Sequence, residues 1–133
     1  MDVKELIKTI EVTANPEMAA KWDNSGLQVA SERKNIRKIA VMLDPLPENI
    51  KKGLESGADF ILSHHPLSIK PELPTRIDNF YHSLKLLMCA NVALYSAHTS
   101  LDVNPEGPAG WLGRDLGLSA CDCLENIGEK RGY

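Results

Sequence analysis

The sequence predicts an α/β fold, a mostly parallel sheet with flanking helices. Three short apolar runs carry that expectation: Ile39-Ala40-Val41-Met42-Leu43, Phe60-Ile61-Leu62 and Val92-Ala93-Leu94-Tyr95. They are unbroken rather than alternating, as strands covered on both faces require. Stretches with helical spacing separate them, so the order reads βαβαβα, the pattern of a parallel sheet.

Each element has a local reason. Val3, Leu6, Ile7 and Ile10 recur at helical spacing, which predicts an amphipathic first helix over residues 3–12. Asn15 followed by Pro16 is a cap and a favoured first helical position, predicting a short second helix through Met18 to Lys21. Asp23-Asn24-Ser25-Gly26 breaks it as a turn. After the first strand, Pro47 to Ser56 reads as a helix ended by Gly57. The second strand leads into a proline-rich loop from Pro66 to Pro74. A helix from Asp78 to Ala90 then places Phe80, Leu84, Leu87 and Met88 on one face, and Asn91 closes it. The third strand follows, and Gly110 to Leu116 reads as a last helix before Gly117.

At 133 residues the chain has the size of one domain, and we expect a single α/β unit over residues 1–133 with residues 119–133 as a linker. Hydrophobic residues at 43% and charged residues at 25% exclude disorder, collagen and coiled coil for the whole. No stretch approaches 18 uninterrupted apolar residues, and Met1-Asp2-Val3-Lys4-Glu5 is too charged to open a signal peptide, so a cytoplasmic location is expected and a membrane partner is not. Fifteen basic against 18 acidic side chains, with no clustered basic run, disfavour nucleic acid as a partner. Three cysteines are too few and too odd for a disulfide framework. They read as reduced thiols, and Cys121-x-Cys123 lacks the second pair that a zinc site of that kind needs.

Every proposed strand ends in polar residues: Asp44-Pro45, Ser63-His64-His65-Pro66 and Ala97-His98-Thr99-Ser100-Leu101-Asp102. In an open parallel sheet those ends lie abreast, and ligands bind in the crevice outside the carboxyl edge. His64, His65, His98, Asp44 and Asp102 therefore converge on one region. Imidazoles with a carboxylate suit a divalent Zn, Fe, Mn, Co or Ni ion. Neighbours in a strand point to opposite faces, so His64 and His65 can share a site only if the strand has ended, which Pro66 favours. His98, four residues before Asp102, is either a further ligand, an orienting donor or a proton shuttle. Asp44 before Pro45 serves equally as the opening of a turn. His82 reads as an ordinary, partly exposed helix residue, and Trp22 as a core or interface aromatic. Phosphate loops of the Gly-x-Gly-x-x-Gly and Gly-Lys-Ser/Thr kinds are missing, as is a Gly-x-Ser-x-Gly elbow.

Three blocks carry a resemblance: Trp22-Asp23-Asn24-Ser25-Gly26-Leu27-Gln28-Val29, Gly57 through Leu67 around Ser63-His64-His65-Pro66, and Tyr95-Ser96-Ala97-His98-Thr99-Ser100-Leu101-Asp102. In this order they resemble the Nif-three-like family, the GTP cyclohydrolase 1 type 2 homologues, from the first helix to about Leu118. The resemblance implies an α/β protein that holds two divalent ions and assembles as a homo-oligomer, a dimer or a ring-shaped hexamer of dimers. It implies His64 and His65 as ligands to different ions, Asp102 as a ligand to one of them, and His98 as a neighbour of the site. Two departures stand out. The family usually completes its site with a distant His-x-x-x-Glu, which this sequence lacks, and the stretch Gly107 to Leu112 lacks an Asn that relatives place two residues after the glycine. We therefore expect an amino-terminal half, with the remaining His and Glu supplied by a missing carboxyl-terminal half or a second polypeptide.

Two functions follow as expectations. One is a metal-dependent hydrolase in which His98 handles protons; the family name implies hydrolytic opening of the purine ring of GTP. The other is a non-catalytic metal-binding scaffold, metallochaperone or regulatory protein acting through oligomeric assembly, which the absent Glu favours.

Overall fold

A computed structural model describes residues 1–119. The Cys121/Cys123 pair and the expected linker beyond Ser119 lie outside the described residues. The elements run α1 (Val3–Thr13), a 3-10 turn (Pro16–Met18), β1 (Gly26–Val29), β2 (Ile39–Met42), α2 (Pro47–Glu55), β3 (Phe60–Ser63), α3 (Asn79–Ala90), β4 (Ala93–Ser96), α4 (Thr99–Asp102) and α5 (Pro108–Asp115). Among the described residues no helix is long and apolar enough to cross a membrane.

The sheet has the order β1-β4-β3-β2. The three expected strands β2, β3 and β4 are parallel, in a register that sets Met42 beside Ser63 and Ser63 beside Ser96. Strands this short and apolar need helices on both faces, and the two cores supply them. Leu6 of α1 packs with Ile36, Phe60, Ala93 and Tyr95 on one face. Ile50 of α2 and Leu87 of α3 pack with Ile61, Val92 and Leu94 on the other. Gly53 lets α2 approach closely, since a Cβ there would lie 3.2 Å from the Ala40 Cβ. Gly57 ends that helix with φ +85°, a left-handed conformation that side chains resist.

The mostly parallel sheet with flanking helices stands as expected, and the structure adds an unforeseen strand: β1 joins antiparallel to β4, with an irregularity between Leu27 and Val29. Sequence periodicity missed β1 because Gly26 and Gln28 interrupt its two apolar residues directly after a turn. Several finer expectations are corrected. The second helix is only the 3-10 turn, whose Asn15 carboxamide caps Glu17 as expected of a helix start. A short α4 occupies the segment after His98, and α5 begins at Pro108, two residues before the expected start. β2 is not a fully buried strand, because it is the sheet edge and α1 lies over β3 and β4 instead; Val41 is 76% exposed. Met88 is likewise exposed rather than on the packed face of α3, where Ser83 and Leu87 are buried.

Candidate metal centre

The register of the sheet builds the site. Because Met42, Ser63 and Ser96 stand abreast, the residues that leave β2, β3 and β4 emerge side by side. Antiparallel β1 starts at the same edge, with Gly26 opposite Ser96, and so brings the turn containing Asp23 to that edge.

His64 and His65 both lie beyond the end of β3. Their backbone N–H groups still donate to Met42 and Leu43 carbonyls of the neighbouring chain segment, at 3.0 and 2.9 Å. The Ser63 hydroxyl donates to the His65 carbonyl at 2.7 Å and the Ser96 hydroxyl to the His64 carbonyl at 2.8 Å. These buried hydroxyls hold the peptide groups outside the regular pleat, which frees the two rings from pointing to opposite faces. The ring centroids of His64 and His65 lie 5.1 Å apart, and those of His98 lie 5.1 and 5.4 Å from them. One ring nitrogen from each of the three is within 4.8 Å of the others.

Each ring is held through Nδ1. His64 Nδ1 lies 3.0 Å from the Ala97 carbonyl, His65 Nδ1 2.6 Å from Asp44 Oδ1, and His98 Nδ1 2.8 Å from Asp23 Oδ1. A carbonyl or carboxylate oxygen only accepts, so Nδ1 donates in all three. A neutral imidazole that donates through Nδ1 presents a lone pair at Nε2. Metal-binding histidines are typically oriented by such an acceptor on the second nitrogen. This donor set therefore fits a divalent cation: three tautomerically fixed imidazoles close enough to close on an ion at about 2.0–2.1 Å.

Asp102 sits at the last position of α4 and places Oδ2 3.8 Å from His64 Nε2. That separation suits two neighbouring ligands of one ion, yet Asp102 stands outside the trio of imidazoles. His98, whose sequence reading left its role open, is the third member of that trio. Asp44 does more than open a turn, because its carboxylate orients His65. His82 is an exposed residue on α3 and stands outside the trio of imidazoles. Trp22 is not a core residue: it is half exposed and meets the His98 ring edge-on at a centroid distance of 6.0 Å.

Sequence reasoning did not single out Asp23, though its turn was visible. Burial alone would raise this carboxyl. Donors from the Ser25 hydroxyl, the Thr99 hydroxyl, His98 Nδ1 and the Asn24 N–H outweigh that effect and bring it down to about 2. Asp23 is thus a fixed anion beneath His98. The signal was an Asp-Asn-Ser-Gly turn abutting an aromatic residue, which also describes many turns without function.

A mostly parallel sheet carrying a histidine cluster at its carboxyl edge defines the class: an α/β protein with a candidate metal centre at the strand ends. The chain belongs to the Duf34/NIF3 (NGG1p interacting factor 3) family, whose model matches residues 1–133. It is 42% identical over 108 residues to a GTP cyclohydrolase 1 type 2 homolog of Methanocaldococcus jannaschii, covering 80% of this chain and 44% of that relative. Among solved structures it is similar to reduced HcgD from Methanocaldococcus jannaschii, with a TM-score of 0.87 and 37% identity over 96% of this chain and 52% of that one. It is also similar to Staphylococcus aureus protein SA1388, with a TM-score of 0.82 and 28% identity over 95% of this chain and 36% of that one. The chain spans less than half the length of the curated relative from Methanocaldococcus jannaschii.

Proposed function

We propose that this chain binds a divalent cation at the strand ends and contributes that site to a metal-dependent hydrolase. His64, His65 and Asp102 are the ligands in this reading, and His98 moves protons. The observation that carries it is the common anchoring of three imidazoles through Nδ1, which leaves Nε2 of each available.

When bound, a divalent cation supplies Lewis acidity that polarises a substrate oxygen and acidifies water. The protein's own part is orientation. Asp44 and the Ala97 carbonyl aim His65 and His64, while buried Asp23 holds His98 with Nε2 free to take a proton from an attacking water and stabilises the imidazolium that results. A groove of about 330 Å³, lined by Asn24, Gln28, Leu67, Ser68 and Phe80 among others, flanks the turn after Asp23 and the loop after His65. Its wall includes the Phe80 ring, while the Asn24 and Gln28 amides bond each other and nearby carbonyls and so fix its shape.

The mutual closeness of all three rings favours a second reading, in which His98 Nε2 is itself a ligand and the site is a binding centre without a proton shuttle. Metal content by native mass spectrometry, combined with rates on GTP and simple phosphoesters, tests both. Hydrolysis that His64→Ala abolishes, with metal retained in His98→Ala but activity lost, supports the shuttle. Equal rates in wild type and His64→Ala end the hydrolase reading, and loss of metal in His98→Ala favours the binding centre.

A further inference from the structure

Two hollows open beside the candidate centre. One of about 120 Å³ lies against His65 and Asp44, and the groove of about 330 Å³ runs past the turn after Asp23. Leu67 and Phe80 line both, so the two share an apolar wall. Apart from His65, the ionisable side chains that line them are acidic: Asp44 in the smaller hollow and Glu72 in the larger. Among the described residues no Lys or Arg lines either one. The first turn of α3 faces the smaller hollow through Asn79, but its partial positive charge is met by the Asp78 carboxylate, which accepts from the Tyr81 N–H at 3.1 Å. Arg76, in the loop between His65 and α3, is turned to the same carboxylate at 3.7 Å.

The centre carries the same sign. Asp23, Asp44 and Asp102 each stand beside one of its imidazoles, at 2.8, 2.6 and 3.8 Å. With Glu72 in the groove, four carboxylates outnumber the two positive charges of a single divalent ion, so the region stays net negative when one ion is bound.

We infer that this chain selects an uncharged or cationic planar substrate over an anionic one, and that Glu72 extends that selection from the centre into the groove. Such selection presupposes the proposed function, in which substrate is held beside the metal centre, and it narrows the substrate of that site. Leu67 and Phe80 offer an apolar wall to a flat ring, and the Glu72 carboxylate accepts from an amine or amidine N–H at its edge. A carboxylate or phosphate in the same place lies against Asp44 and Glu72 with no counter-charge from the hollows. For charges about 4 Å apart in water, Coulomb's law makes each such opposition worth about fivefold in affinity, and salt at about 1 M screens most of it.

Benzamidine, benzamide and benzoate test this, because one ring then carries a positive, a neutral or a negative head. NMR titration of the zinc-loaded 1–133 chain gives the three dissociation constants, and shifts of the Phe80 ring locate the ligand. We expect benzoate to bind at least fivefold more weakly than benzamidine, with benzamide between them. The gap should widen when a chelator removes zinc and shrink in 1 M salt. Glu72→Lys should abolish or reverse it, whereas Glu55→Lys, an equal change of charge at the end of α2 and outside both hollows, should preserve it. Circular dichroism confirms that each variant is folded. Benzoate that binds as tightly as benzamidine overturns the inference, as does a gap that Glu72→Lys leaves unchanged or Glu55→Lys removes, or a Phe80 ring that none of the three ligands shifts at millimolar concentration. Turnover is not read, so a chain that hydrolyses nothing yet keeps the gap counts against the hydrolase and for this selection.

Discussion

Asp23 Oδ1 accepts from His98 Nδ1 at 2.8 Å although the two residues are 75 positions apart. The same carboxylate takes the Thr99 hydroxyl at 2.5 Å and the Ser25 hydroxyl at 2.6 Å through Oδ2. One buried anion thereby joins the turn before β1 to the segment after β4.

Asp23→Asn should therefore act on stability and on the site together. Hydrogen bonds to a charged group contribute about 1.5–3 kcal/mol, so we expect a loss of that order at pH 7 in urea unfolding. The folded carboxyl titrates near 2, below its ordinary 3.8. Its stabilisation is complete above the unfolded value and disappears as pH falls toward 2, so the gap between wild type and variant should narrow in acid. The Asn amide can turn its NH2 toward His98 and change the tautomer of the ring, so in the shuttle reading the variant should retain metal and lose most of its hydrolysis. Metal affinity that falls about 10- to 100-fold would favour His98 as a ligand instead.

Stoichiometry gives a second check. His64, His65 and Asp102 cannot saturate two ions, and nothing among the described residues bridges a pair in the way a shared carboxylate does. Titration with Zn, Mn or Fe under native mass spectrometry should show one ion per chain, weakly held, and His65→Ala should lose it. Two tightly bound ions on the isolated chain would contradict this.

Asp59 makes a structural prediction away from the site. It is buried at the start of β3, where it accepts from the Arg37 and Lys38 backbone N–H groups at 2.9–3.1 Å. Burial opposes its charge, but these donors, with the Arg33 and Arg37 guanidinium groups, hold the carboxyl below its usual range. Asp59→Asn should cost about 1.5–3 kcal/mol at neutral pH. The sign is that of a lowered carboxyl, so the difference from wild type should shrink below about pH 4. A gap that stays constant down to pH 2 would assign the cost to shape instead of charge.

Gly57 isolates a backbone effect. A Cβ there meets nothing within 4 Å, so only the positive φ penalises a side chain. Gly57→Ala should lower stability by about 1–2 kcal/mol, and Gly57→Asn by less, in urea titrations. Equal losses would show that α2 can end in another conformation.

The parts of the fold legible in the sequence are those whose burial is nearly uniform. Phe60, Ile61 and Leu94 are wholly buried, and their unbroken apolar runs announced a parallel sheet. The convergence of His64, His65 and His98 followed from that sheet alone, because neighbouring strand ends must lie together. β1 was hidden because its pattern combines Gly26 and Gln28 with two apolar residues, a mixture common in loops. Exposure of Val41 was hidden too, since an apolar run does not say which strand stands at the edge. Asp23 escaped notice for a related reason: its partners, His98 and Thr99, come from the other end of the described chain, and short-range spacing carries no record of that contact.

The three anchors under the histidines come from separate segments: Ala97 after β4, Asp44 after β2 and Asp23 before β1. No single supersecondary unit contains a complete set. A cation bound at this cluster would therefore be captured late in folding, once all four strands have found their neighbours, and an ion that prefers the finished cluster would act as a clasp against unravelling at either margin.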